Sequence, residues 1–303
     1  METPPSSSQF FSSQLPNLPA DITVADLLER YAAGERDFRG IQLIGADLSR
    51  QNLSGANFRQ SNLQNTTFAG ATLVGANFRE AKLTDVNFNQ ATLILANLIG
   101  ADMADARLVG ADLSEAGMRS ANLVRADLNQ AVLRETNLNE AVLDHATLHK
   151  AVLSEASLSR GRMLAADMEG ANLEHANMTS ALMNRAVLRG AVLVGAVFTG
   201  ATLEGADFQE ADMSRAKLTS TNLVNVNLSY ANLRGANLSW SSLRGANLRG
   251  ATLYRTRLSW SNLSGADLTD AVMINAKLDY TNLRRTDVHG TIMPDGYTMG
   301  SQE

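Results

Sequence analysis

The chain has 303 residues, enough for one large domain or two small ones, and its formal charge of -5 is too mild to call for nucleic acid or an anionic membrane as a partner. It is 45% hydrophobic but only 5% aromatic, so small and aliphatic residues carry the apolar content, a bias towards Leu and Ala that calls for a search for repeats. The absence of cysteine excludes a disulfide framework, a thiolate metal site and a cysteine nucleophile.

Residues 1–18, METPPSSSQFFSSQLPNL, have neither a basic n-region nor an apolar h-region, and they read as a disordered leader rather than a signal peptide. No stretch approaches the roughly 18 apolar residues a membrane helix needs. A soluble, cytoplasmic protein with no membrane partner is expected. Residues 19–35 carry a short helix. Thr23 or Asp21 can cap its N-terminus, Asp26 falls in the first turn, and Val24, Leu27, Leu28 and Tyr31 share one face, with Gly34 at its end.

From Arg36 the chain reads in fives: RDFRG, IQLIG, ADLSR, QNLSG, ANFRQ. The middle residue runs Phe38, Leu43, Leu48, Leu53, Phe58 and on to Met293 without an insertion, 52 positions that are all Leu, Phe or Met except Val288. The residue two before the middle is usually Ala, otherwise mostly Ser, Thr or Val. A period of five fits neither helix nor long strand, but it fits short extended steps separated by turns. Alternation puts the middle residue and the small residue two before it on the same, inward side. The other three positions are mostly polar, and Gly is frequent at the fifth, where a turn calls for positive φ. LSWS at Leu238–Ser241 returns at Leu258–Ser261, 20 residues on. Four pentapeptides then make one coil, and the repeats over 36–293 build a four-sided solenoid of about 13 coils stacked roughly 4.8 Å apart.

The repeat A(D/N)LXX, as in ADLSR, ANFRQ, ADLSE and ANLRG, resembles the pentapeptide-repeat family. That resemblance implies an all-β fold, a right-handed quadrilateral β-helix, here with a short N-terminal capping α-helix. LLERYAAGERDF is similar to the N-terminal caps of cyanobacterial members. TIMPDG is similar to their tails, including that of a member implicated in heterocyst differentiation. The remaining tail, 294–303, is too short for a stable helix. The last coil is expected to be covered by a turn and Tyr297, or by another copy of the chain.

No catalytic constellation, metal site or cofactor motif emerges. His145 and His149 flank a turn and lack a third ligand, His175 and His289 stand alone, and Asp102 and Asp105 flank the inward Met103. A filled coil offers no deep substrate pocket, so no enzyme is expected. Sorted by side of the coil, whole pentapeptides sum to +5 on the side of Phe38, +2 on that of Leu43, -4 on that of Leu48 and -3 on that of Leu53. The Leu53 side is the most apolar outside, with Val74, Ile94, Val132, Val152, Val192 and Val194. These are either β-branched residues suited to a strand surface or a docking face. Trp240, Trp260 and Tyr280 fall at one corner of three successive coils and form an outward ladder, with Arg257 and Lys277 on the same side and Tyr254 nearby. The ladder is either structural or an interaction hot spot, since Trp, Tyr and Arg are the residues hot spots prefer. The expectation is a non-enzymatic rigid scaffold or regulator that binds an unidentified protein and no nucleic acid, as a monomer or end-to-end dimer. The alternative is a DNA-mimicking modulator of DNA gyrase or another DNA-binding protein, of the kind the resemblance implies for some members. Such mimicry needs dense acid, about one charge per 1.7 Å.

Overall fold

The computed structural model describes residues 22–300. The leader and Asp21 lie outside the described residues. Each pentapeptide makes one bridge and one turn, and the bridges are parallel and link residues 20 apart, from Asp37↔Asn57 through to Val272↔Ile292. The backbone groups are consumed in a fixed pattern. In the pentapeptide around Phe58, the Phe58 N–H donates to Asn77 O (2.7 Å), the Gln60 N–H to Arg79 O (3.0 Å) and the Asn57 N–H to Arg36 O (2.7 Å). The turn closes on itself through Ser61 N–H to Phe58 O (3.1 Å). This leaves few backbone groups unpaired between coils, as a buried backbone requires.

The expectation that glycine supplies the turn needs revision. Every fifth position from Gly40 to Gly290 has positive φ, and 34 of these 51 corners carry a side chain, Trp240 and Trp260 (φ 63 each) and Tyr280 (φ 57) among them. A left-handed non-glycine residue costs roughly 1–2 kcal/mol. The inter-coil hydrogen bonds on both sides of each corner hold the conformation whatever the residue. Glycine matters where space is short. An Asn225 carboxamide oxygen lies 2.5 Å from where a Cβ on Gly245 would stand, so that corner accepts no side chain without moving Asn225.

The middle residues and their small partners are buried along the axis; Leu148, for example, is 1% exposed. In the first coils the axis is filled by phenylalanine. Phe38, Phe58 and Phe78 stack on one side (5.8 and 5.2 Å between centroids), Phe68 and Phe88 on the opposite side (5.2 Å), and the two columns meet edge-to-face at 5.7–6.2 Å. Both arrangements are favoured by the ring quadrupole. Ser or Thr replaces the small inward Ala without cost because its hydroxyl reaches a carbonyl 23 residues back: Ser61 to Phe38 O (3.0 Å), Thr136 to Leu113 O (2.9 Å), Thr256 to Leu233 O (2.7 Å). The frequent Asp or Asn before the middle residue accepts the N–H two residues on, as Asn57 does from Arg59 (3.2 Å) and Asp112 from Ser114 (3.0 Å), which starts the turn.

Helix α1 (Val24–Ala32) precedes the first coil. Thr23 caps it in a reciprocal box with Asp26. Leu27 is fully buried, the Tyr31 hydroxyl donates to Ser54 O (2.9 Å), and the Arg30 guanidinium lies 5.6 Å from the Phe38 ring, so the helix packs on the first coil. At the other end the tail doubles back. Ile292 pairs antiparallel with Thr298, Met293 N–H donates to Tyr297 O (2.8 Å) and Met299 N–H to Thr291 O (2.9 Å). This hairpin lies over one side of the last coil, whose inward residues Leu278, Leu283, Val288 and Met293 are all only half-buried.

Candidate functional site

The rings of Trp240 and Trp260 are parallel within 2° at 5.0 Å, and Tyr280 continues the stack at 4.2 Å and 18°. The 20-residue register alone explains the geometry, since the three corner residues stand on successive coils at the spacing of adjacent strands. They are 60%, 48% and 76% exposed, an aromatic surface few monomers leave bare. Because the rings cover one another's faces, the ladder presents mainly ring edges and the two outer faces to solvent.

Arg257 and Lys277 lie in bridged positions on the side that ends at this corner, both exposed. Tyr254 stands on the preceding side, half-buried, with the guanidiniums of Arg234 and Arg255 at 4.9 and 5.0 Å from its ring centroid, two cation–π contacts separate from the ladder. On the Leu53 side, Val192 is 38% exposed, whereas Val74, Ile94, Val132, Val152 and Val194 are half-buried. Their columns are broken by polar neighbours: Val132 and Val152 bridge to each other but then to Asp112 and Asn172.

Charge is unevenly distributed along the axis of the rod. From Arg36 to Met213 there are fifteen Arg and Lys against twenty Asp and Glu, a balance of -5. From Ser214 to Met293 there are ten against four, a balance of +6. In the acidic part, carboxylates are braced by arginines of neighbouring coils. Glu140 is held between Arg119 (3.2 Å) and Arg160 (2.7 Å), and the hydrogen bond from Arg119 chiefly lowers its pKa. The Arg125 fork does the same for Asp105. In the basic part, the Leu43 side carries Arg244, Arg284 and Arg285, which with Ser264, Gly265 and Asn282 line an open depression of about 470 Å³. A second depression of about 660 Å³, with His145, Leu164, Leu182, Arg185 and Glu204 on its walls, lies earlier on the same side.

The histidines stay apart. His149 pairs with Asp167 (2.7 Å) and His175 stands 3.7 Å from Glu174. Among the described residues no three side chains of metal-ligating type converge, and no helix is long and apolar enough to cross a membrane.

Family models for pentapeptide repeats match residues 121–160, 165–220 and 221–290, and a pentapeptide repeat region model matches 41–118. The chain belongs to the pentapeptide-repeat family. Membership implies the right-handed quadrilateral β-helix, and the parallel 20-residue bridges match its four-sided coil. Among solved structures, HetL from the cyanobacterium Nostoc, described as involved in heterocyst differentiation regulation, is 29% identical over 92% of this chain and 100% of its own, with a TM-score of 0.39. Rfr23 from the cyanobacterium Cyanothece is 26% identical over 44% of this chain and 97% of its own, with a TM-score of 0.26. QnrB1, a plasmid-mediated fluoroquinolone resistance protein, is 19% identical over 69% and 89%, with a TM-score of 0.32. No curated protein matches the chain by sequence.

Proposed function

We propose that this pentapeptide-repeat protein is a non-enzymatic cytoplasmic rod of 13 coils that binds a protein partner through its C-terminal third. The observation that carries this reading is the exposed Trp240–Trp260–Tyr280 ladder standing within the C-terminal coils, Ser214 to Met293, where ten basic residues face four acidic ones. Aromatic and Arg anchors are what protein hot spots use, and cations flanking the ladder favour a partner with acidic groups. Nucleic acid is a poorer fit, because base stacking needs free ring faces and these rings are stacked on each other. DNA mimicry is likewise poorly supported, since the C-terminal coils carry net positive charge. Helix α1 closes the N-terminal end and so limits association to the other end, which keeps the chain a monomer or a tail-to-tail dimer. A regulatory role is the natural use of such a rod.

The test compares proteins captured from the host's lysate by the immobilised wild type and by the Trp240→Ser, Trp260→Ser double variant. A set of proteins retained by the wild type and by a Val192→Ser control, but lost from the double variant, is expected. Identical capture by all three forms sinks the proposal.

A further inference from the structure

Arg244, Arg284 and Arg285 all line one open depression of about 470 Å³, within the range of small-molecule sites. Elsewhere on the rod exposed arginines are commonly neutralised by carboxylates of adjacent coils, as at Arg125–Asp105, Arg160–Glu140 and Arg189–Asp207. Among the described residues none of these three has a carboxylate partner. The nearest carboxylates along the chain serve other sides: Asp279 accepts from Ser259 (3.2 Å), and Asp287 accepts from the His289 N–H (3.0 Å). Residues 241–245, 261–265 and 281–285 on this side contain no acid at all.

Two further features favour an anion. Corner Gly265 carries no side chain and has no atom within 4 Å of where a Cβ would stand, which opens the space between Arg244 and Arg285. Ser264 adds a hydroxyl to the rim.

We infer that this depression binds a phosphoryl group. Guanidinium forks accept both carboxylates and phosphates. A carboxylate has two oxygens and one charge, too few for three forks. A phosphoryl group offers three acceptor oxygens and nearly two charges, which matches three unpaired arginines. The site stands apart from the aromatic ladder, at the opposite corner of the Leu43 side, and its test needs no protein partner.

Isothermal titration of the full chain at physiological ionic strength would use inorganic pyrophosphate as the probe. Saturable binding is expected, weakened by about tenfold or more in Arg284→Gln, Arg285→Gln, since charge-assisted bonds are each worth at least that. The control Arg215→Gln, Lys217→Gln removes the same charge from exposed positions elsewhere and should change affinity by less than about twofold, as a screened distant charge would. Circular dichroism checks that each variant is folded. A phosphoserine peptide and its Glu-substituted twin form the second arm. Binding of the phosphopeptide shows that the group can be protein-borne; binding of pyrophosphate alone shows that it is free, and either supports the site. Absent or non-saturable pyrophosphate binding, equal losses in variant and control, or equal affinity for the Glu peptide would overturn it.

Discussion

Replacing Trp240 and Trp260 together by Ser separates the ladder's stabilising role from a binding role. The double change removes both stacked pairs, Trp240–Trp260 at 5.0 Å and Trp260–Tyr280 at 4.2 Å. Such pairs are worth about 0.5–1.5 kcal/mol each beyond buried area, so the loss is roughly 1–3 kcal/mol. Backbone strain does not offset it, because Ser must adopt the same left-handed corner, φ 63, that Trp adopts. In a solenoid each coil leans only on its neighbours, so the loss should appear as earlier melting of the C-terminal coils, with the rest of the rod little changed. Urea unfolding followed by circular dichroism, together with hydrogen exchange resolved by peptide, reads both quantities. Unchanged stability and unchanged exchange near residues 236–285 would refute the idea that stacking braces these coils, and would leave binding as the ladder's only role.

Leu148→Ala should cost about 2–5 kcal/mol, the usual range for truncating a fully buried aliphatic side chain, and Leu148→Arg should unfold its coil because an unpaired charge cannot occupy the axis; wild-type melting of Leu148→Arg would mean the inward register is wrong. Deleting residues 1–34 removes α1 and bares the first coil, so light scattering should show association or aggregation, whereas a monodisperse monomer would show that the helix is not needed as a cap. Acid should destabilise the rod. The pKa values of Glu140 and Asp105 are lowered by their arginines, so the stability they contribute is complete above their ordinary values, 4.5 and 3.8, and is lost as pH falls through the lowered ones. Glu140→Gln should therefore flatten the decline of the urea midpoint with falling pH, and an unaltered pH profile would show that the Arg119 and Arg160 contacts add nothing.

The coil was legible because burial in this fold depends on one strict period. Phe38, Leu148 and Met273 are all inward for the same reason, and the Ser and Thr exceptions are explained by one recurring hydrogen bond. The corners were less legible. Glycine at Gly40, Gly45 and Gly55 suggests that the turn needs glycine, yet Arg50 and Gln60 adopt the same left-handed backbone, because hydrogen bonds between coils impose what residue preference alone would oppose. At the tail a turn over the last coil was legible, but the antiparallel pairing of Ile292 with Thr298 was not, since it depends on Pro294–Gly296 turning the chain back outside any repeat, and Tyr297, expected as part of the cover, is 76% exposed. The Trp ladder could be found from spacing alone. Arg244, Arg284 and Arg285 could have been found the same way, since Arg244 and Arg284 are 40 residues apart on one side with Arg285 adjoining, but a charge sum over that whole side, +2, averages them against Asp102 and Asp105 seven to nine coils away.

The most direct test of the C-terminal docking end is hydrogen exchange of the rod with and without the partner that its ladder captures. Because consecutive peptides map onto consecutive coils, the protected region gives the docking position along the axis. Slowed exchange confined to peptides within residues 234–290 is the predicted result. Protection centred on residues 71–99 or 131–155, the coils of Val74, Ile94, Val132 and Val152, with residues 234–290 unchanged, would contradict it.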